Sequence, residues 1–344
     1  FSILSLQLAP QFVNVNSYNY ETRSDEYIYW GYKAPSYSKV YPGNSFIKLD
    51  LGKLSAGVSS QSIWYGPGII SSLLMSNNAP GFNHLNIQTN KPLKTPFGSF
   101  QLNVIGGTLN YNKGQGFENA NLKPYGNTKH TNYLSLLSIS YSPIFFKNFY
   151  LTANRAFTIP TQEKPRTKIT NYYLLSLKPL FRNTYEDNSF PIDQVLSGAA
   201  KYVFPKEHAE VYFEYGWNDG SSNFRDLVLD MSHSAASIYG FKKIQYLNNN
   251  SYLNFEVEAT QMSQRPTYLF RNAGNWYEHA QLKDGYTNEN QILGAASGLG
   301  NNVQTIQLSI NKNWNNFVYE IKKHKAKLCY FVIVVAFNVQ PNKI

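Results

Sequence analysis

Leu253-Asn254-Phe255-Glu256-Val257-Glu258-Ala259 alternates apolar and polar residues along its whole length. Val211-Tyr212-Phe213-Glu214-Tyr215-Gly216-Trp217 has the same rhythm. Successive side chains of a strand point to opposite faces, so a period of two gives one greasy face and one polar face. An amphipathic helix would need apolar residues at helical spacing instead, and neither segment has them. Ile47-Lys48-Leu49-Asp50-Leu51, Phe100-Gln101-Leu102-Asn103-Val104 and Ile306-Gln307-Leu308-Ser309-Ile310 repeat the pattern. Less regular segments lie near 3–15, 54–64, 84–90, 133–142, 149–158, 171–181, 194–204, 235–247 and 314–322. The sum is about fourteen to sixteen strands on the period-two criterion.

Turn-forming stretches such as Pro42-Gly43-Asn44 and Asn218-Asp219-Gly220 separate these segments. No internal repeat at a fixed period points to a propeller or solenoid. No Pro/Ser linker divides the chain, so one domain is expected over residues 1–321.

Alternation is shared by soluble sandwiches and membrane barrels. Three further features favour the barrel. A twisted sheet of this many strands splits or closes on itself. Aromatics make up 16% of the chain, and many of the 27 Tyr fall in or beside the strand candidates (Tyr150, Tyr202, Tyr212, Tyr215, Tyr239, Tyr252). Such rings suit the girdles of a membrane–water interface. Finally, very short gaps, as around Lys53, are mixed with long ones at 17–44, 65–83, 111–132 and 262–301. Outer-membrane barrels have short periplasmic turns and long outer loops.

Other classes are excluded by composition. With 42% hydrophobic residues the chain has ample material for a core, so it is not a disordered one. The longest apolar run, Leu328–Phe337, is about half of the ~20 residues a spanning helix needs. A single cysteine, Cys329, rules out an internal disulfide framework. The net charge of +10 hints at an anionic partner. Nucleic acid is not expected, because the basic residues form no helical stripe and no recognised module.

Enzyme signals are poor, and neither a cofactor nor a metal is expected. The six histidines (His84, His130, His208, His233, His279, His324) show no metal-ligand spacing. Gly114-Gln115-Gly116 lacks the third glycine of a dinucleotide fingerprint, and there is no phosphate loop. The side chains of His233 and Ser234 would point to opposite faces of a strand. Glu256 and Glu258 share one face and are more simply explained as polar lumen lining than as an acid/base pair.

The ends carry their own expectations. Phe1 is preceded by no basic and apolar leader, so a secretory signal is expected to lie outside this sequence. Residues 322–344 read as an aberrant or non-native tail, the product of a frameshift or truncation. Lys322, Lys323, His324, Lys325 and Lys327 precede an apolar run without alternation, which makes a poor lipid-facing strand.

The most distinctive stretch is Trp64-Tyr65-Gly66-Pro67-Gly68-Ile69-Ile70-Ser71-Ser72-Leu73-Leu74-Met75-Ser76-Asn77-Asn78-Ala79-Pro80-Gly81-Phe82. Gly66, Pro67 and Gly68 force a sharp turn, and Asn77, Asn78 and Pro80 end whatever Ile69–Met75 forms. A second group comprises Trp276-Tyr277-Glu278-His279, Gly285-Tyr286-Thr287-Asn288 and Gly294-Ala295-Ala296-Ser297-Gly298-Leu299-Gly300. Weaker ones are Asn154-Arg155-Ala156-Phe157 and Glu214-Tyr215-Gly216-Trp217-Asn218-Asp219 with Arg225-Asp226 after it. In this order, over about 64–300, they resemble the Wzi capsule-assembly family.

The resemblance implies an outer-membrane β-barrel of about eighteen strands, within the range such barrels span. It also implies a lectin-like role in attaching or organising capsular polysaccharide at the cell surface of a Gram-negative bacterium. The sequence departs from the pattern at Gly298-Leu299-Gly300, where the family has Gly-Pro-Gly, in its short N-terminal segment and in its tail. The expected fold is thus an all-β transmembrane barrel of about 14–18 antiparallel strands with long outer loops. Its expected partners are capsular or other surface polysaccharide and outer-membrane lipid. The alternative is a general porin or solute channel.

Candidate glycan contacts carry two readings each. Trp64, Trp217 and Trp276 suit stacking on sugar rings, or packing and the interface belt. Asn77 and Asn78 suit sugar hydroxyls, or bonding to their own turn. Arg155 and Arg225 suit acidic sugars, or a lumen salt bridge to an acid such as Glu256 or Asp50. His279 suits a bond to a neighbour better than a titrating role, and Tyr65, Asp219 and Tyr277 complete the candidate set.

Overall fold

A computed structural model describes residues 3–15, 36–110, 131–161, 174–177, 192–218, 232–248, 250–264, 275–279, 282, 285–289, 291–312, 315–325 and 329–338. The first strands are β1 (Leu4–Gln7), β2 (Gln11–Val15), β3 (Tyr37–Tyr41), β4 (Phe46–Asp50), β5 (Leu54–Ser59), β6 (His84–Thr89) and β7 (Leu93–Thr95). Longer ones follow: β8 (Gly98–Asn110), β9 (Thr131–Pro143), β10 (Phe149–Pro160), β11 (Asp193–Phe204), β12 (Ala209–Asn218), β13 (Ala235–Asn248) and β14 (Ser251–Gln261). The last are β15 (Thr287–Asn288), β16 (Gln291–Ile292), β17 (Asn302–Lys312), β18 (Asn315–Lys325) and β19 (Cys329–Asn338).

Fifteen of these form one sheet, in the order β1-β4-β5-β6-β8-β9-β10-β11-β12-β13-β14-β17-β18-β19, with β7 paired to β8. Each ladder is antiparallel and joins neighbours along the chain, apart from the insertions β2–β3 and β15–β16, which pair as separate hairpins. The fold is therefore all-β, an up-and-down meander. Its connections sort by length. The turns β4–β5, β9–β10, β11–β12, β13–β14 and β17–β18 are short and share one end. Connections β5–β6, β8–β9, β10–β11, β12–β13 and β14–β17 are long and share the other. Only β18–β19 is short at the long-loop end among the described residues.

The two faces of the sheet are inverted relative to a water-soluble protein. Ile47, Leu49, Ile87, Leu102, Phe213, Ile306, Leu308 and Ile310 are exposed on the outer face. Ser138, Asn154, Ser197, Glu214, Glu256, Glu258, Thr305 and Ser309 are buried on the inner one. Exposed apolar area of this extent is unfavourable in water by roughly 25 cal/mol per Å². Near the short-turn end the outer face carries ring pairs: Phe100 stacks on Tyr141 with centroids 4.6 Å apart, Phe146 meets Phe149 at 5.1 Å and Tyr202 meets Phe204 at 4.6 Å. Part of the aromatic content is thus gathered on the outer face at this end.

Inner-face residues from β8 (Ile105, Leu109), β9 (Leu134, Leu136), β10 (Ala156), β11 (Val195), β12 (Tyr212) and β13 (Ile238) join one buried cluster with Leu73, Leu74, Met75, Trp276 and Tyr277. One compact body touching six successive strands requires a sheet curled around it. The core of this protein is thus a plug and its contact with the wall.

Several local expectations are corrected. The segment near 171–181 gives a 3-10 turn at Leu175–Leu177, not a strand; the rest of that segment, apart from Leu174, lies outside the described residues. Leu175 packs with Phe157 and Ile159. The strand over 54–64 ends at Ser59, after which the chain leaves the sheet. At the C-terminal end the ladder runs through residue 322 without a break. Leu328–Phe337, whose lack of alternation speaks against a strand, overlaps β19, paired with β18 from Asn316↔Asn338 to Lys325↔Cys329.

Candidate functional site

The plug begins where β5 stops. At Gly68 a Cβ would overlap the carbonyl oxygen of Ser71, so only glycine allows this tight reversal. The reversal brings Tyr65 N–H to the Met75 carbonyl at 2.9 Å, and the Ser72 hydroxyl donates to the Tyr65 carbonyl. Trp64 Nε1 donates to the Gly68 carbonyl at 3.0 Å, which fixes its ring on the turn.

Backbone groups left without a ladder need other partners when buried. The barrel wall supplies them. One oxygen of Glu258 accepts the N–H of Ile69 at 2.8 Å, that of Ile70 at 3.0 Å and the Tyr212 hydroxyl at 2.6 Å. Glu214 accepts the N–H of Leu73 at 3.2 Å. Glu256, on the same face, pairs instead with Lys242 at 3.0 Å. These carboxylates line the lumen, as their alternation suggests, and two of them hold the plug.

The second motif group completes the same body. Ser76 N–H donates to the Leu293 carbonyl at 2.7 Å, and its hydroxyl to the Gly294 carbonyl at 2.5 Å. Asn78 Nδ2 donates to the Ile292 carbonyl at 2.9 Å, and Asn288 Nδ2 to the Pro80 carbonyl at 2.9 Å. Asn110, the last residue of β8, donates its N–H to Asn288 Oδ1 at 2.9 Å, which places this part of the plug at the long-loop end. A Cβ at Gly294 would meet both the Tyr277 hydroxyl and the Leu73 carbonyl oxygen, so glycine lets the two loops touch.

The candidate residues separate by environment. Trp276 and Tyr277 are 0% and 1% exposed, so neither ring is open to a sugar; Trp276 Nε1 donates to the Ser234 carbonyl at 2.9 Å. Burial pushes the Tyr277 hydroxyl well above the usual phenol range, which keeps it a neutral donor. Trp64 and Tyr65 are half-buried, Asn77 is exposed, and Asn78 is half-buried in its turn. His279 Nδ1 accepts the Leu282 N–H at 3.0 Å, the neighbour bond expected of it. Trp217 lies on the outer face, edge-on to Tyr215 at 4.9 Å. Arg155 shares that outer row through the pairing Arg155↔Leu196↔Trp217, with its guanidinium 4.5 Å from the Phe157 ring centre. It therefore points neither into the lumen nor toward Glu256, because its odd position in β10 faces away from both. Asp219 and Arg225 lie outside the described residues.

Sequence reasoning missed a cavity of about 400 Å³ between Trp64–Pro67 and the inner faces of β6 and β8 to β11. Gln101, Asn103, Ser138, Ser140, Thr152 and Lys201 are among its wall residues. Each wall residue occupies the short-turn half of its strand. The available signal was the polar set of the alternating positions, such as Gln101 and Asn103 between Phe100, Leu102 and Val104.

Comparisons with known proteins agree with this architecture. No curated protein matches the chain. A solved Escherichia coli structure, described as Wzi, an outer membrane protein involved in group 1 capsule assembly and a carbohydrate-binding β-barrel, is similar with a TM-score of 0.60 at 14% identity. The match covers 82% of this chain and 56% of that one, so this chain spans little more than half its length. At this identity the likeness shows the fold, a β-barrel. The family described as capsule assembly protein Wzi matches residues 4–319, nearly the whole sequence, and the chain belongs to that family.

Proposed function

We propose that this chain is an outer-membrane barrel that binds capsular or related surface polysaccharide without covalent chemistry and helps to assemble or anchor it at the cell surface. The observation that carries the reading is the plug. An inside-out sheet has its lumen occupied by the two signature loops, latched to wall carboxylates. Such a device suits a binding protein better than a general pore, which needs an open, water-filled lumen. Outer-membrane lipid is the partner of the apolar belt. Asn77, exposed in the first signature loop, offers a donor and an acceptor to sugar hydroxyls, which supports the reading.

The test is deletion of the gene, with capsule retained on cells measured against capsule shed into the medium. Shedding on deletion, reversed by the intact gene, is the expected result. Unchanged retention overturns the reading, and steady conductance of the purified protein in planar bilayers would favour a pore.

A further inference from the structure

The cavity beneath Trp64–Pro67 has the chemistry of a sugar site, and it lies on the side of the plug away from the long loops. Its size falls within the roughly 300–1,000 Å³ typical of small-molecule sites, at about 400 Å³. Its lining combines rings with uncharged donors and acceptors. Trp64, Tyr65 and Tyr150 supply aromatic surface, while Gln101, Asn103 and Thr152 supply amides and a hydroxyl. A pyranose presents the matching combination, apolar C–H faces bordered by hydroxyls, and rings with amides recognise both.

The polar groups differ in how far they are already engaged. Ser140 and Thr152 share a hydrogen bond of 3.1 Å, and Asn103 Nδ2 reaches Gln88 Oε1 only at 3.4 Å. Gln101 and Tyr150 carry side-chain polar groups that bond to no described residue, and Asn103 Oδ1 is likewise unpartnered. The cation at the rim, Lys201, is neutralised by Glu210 at 2.7 Å. The cavity therefore offers no unpaired charge to an acidic group, although the chain as a whole is basic.

We infer that this cavity is a second carbohydrate site, which takes a short uncharged stretch of glycan entering the lumen from the short-turn side. The inference rests on the reading of the chain as a polysaccharide-binding barrel and deepens it. Short turns of outer-membrane barrels face the periplasm. The cavity would thus meet a glycan before it reaches the surface, and the outer loops would meet it afterwards.

The experiment uses the full chain purified in detergent. The probes are cellobiose, lactose and N,N′-diacetylchitobiose, with digalacturonate as the charged comparator. Tryptophan fluorescence follows short probes, and immobilised host capsular polysaccharide reports whole-chain binding. At least one uncharged disaccharide is expected to saturate the signal, at least tenfold more tightly than digalacturonate. Thr152→Phe fills the cavity and should weaken that binding tenfold or more while polysaccharide capture at the outer loops persists. Gln101→Ala, on an exposed side chain, should weaken it several-fold and serves if Thr152→Phe fails to fold.

Equal disaccharide binding by wild type and both variants overturns the cavity site. So does polysaccharide capture by a wild type that binds no disaccharide, and in both cases the reading of the barrel stands. If wild type binds neither disaccharide nor polysaccharide, the barrel reading falls together with the cavity.

Discussion

Tyr277 donates its hydroxyl to the main-chain carbonyl of Leu73 at 2.8 Å, across 204 residues of sequence. The same oxygen accepts the N–H of Ala295 at 2.8 Å, so one phenol joins three segments of the plug. Tyr277→Phe leaves a buried carbonyl and a buried N–H unpaired. A loss of about 1–3 kcal/mol is expected for each group so stranded. The loss should fall on the plug and not on the wall. Brief conductance openings in planar bilayers, with unchanged heat-modifiable mobility of the barrel, are the expected outcome. A variant as silent as wild type would show that the plug does not depend on this hydroxyl.

Glu258 gathers three donors on one oxygen. Glu258→Gln keeps an acceptor there and should be milder than Glu258→Ala, which strands all three at about 1–3 kcal/mol each. Amide hydrogen exchange at Ile69 and Ile70 is the direct readout. Exchange should rise strongly in Glu258→Ala and modestly in Glu258→Gln. Equal protection in all three proteins would mean that the carboxylate does not hold the turn.

Phe255 lies on the outer face of β14, with its ring 6.3 Å from that of Phe241. Phe255→Lys should cost roughly 2–4 kcal/mol if the residue sits near the bilayer midplane and impair insertion, whereas a polar exchange on the lumen side of the same strand, Asn254→Ser, should be tolerated. Membrane fractionation measures both. Recovery of folded wild type from the aqueous fraction without detergent would remove the lipid-facing role of this surface.

The two tryptophans of the signature loops should now behave differently. Trp276 is fully buried, so Trp276→Ala is expected to cost about 3–5 kcal/mol and lower the amount of barrel. Trp64 lines the cavity and is half-buried, so Trp64→Ala should weaken disaccharide binding several-fold at unchanged abundance. Disaccharide binding and barrel abundance measured in parallel separate the two. A fall in abundance with Trp64→Ala equal to that with Trp276→Ala would make both residues structural.

Residues 325–344 include β19, which completes the ladder on β18. Their removal would take from β18 its partner on that side and leave the facing donors and acceptors of a long strand unpaired. Reduced protease resistance and more aggregation are expected. Unchanged resistance would return this tail to the status its composition suggests, a non-native addition.

How much of this was legible depends on where the decisive contacts lie in the chain. In β12, β14 and β17 the lumen side is polar and the outer side apolar, so each strand announces itself locally. The segment near 171–181 is apolar for a different reason. Leu175 covers Phe157 and Ile159, and a short run that packs as a lid looks like a run that packs as a strand. Gln61-Ser62-Ile63-Trp64 continues the composition of β5, but its backbone turns to the plug, a choice set by Glu214 and Glu258 far away in sequence. Both signature loops stood out as motifs; their union did not, because a contact such as Tyr277–Leu73 leaves no local pattern. The cavity was hidden for the same reason, since register brings Gln101 beside Ser140 and Ser140 beside Thr152.

The latch between Glu258 and Ile69 spans 189 residues, and this separation imposes an order of events. The chain emits the first half of its stopper early, between β5 and β6, and the parts that seat it only with β12, β14 and the loop before β17. Contacts so distant in sequence form late, because a long closure must be achieved before they reward it. A half-assembled barrel therefore has an unseated stopper and an unobstructed bore. Seating of the stopper is thus expected late in assembly, and a lesion that stalls the final strands should leave an open bore.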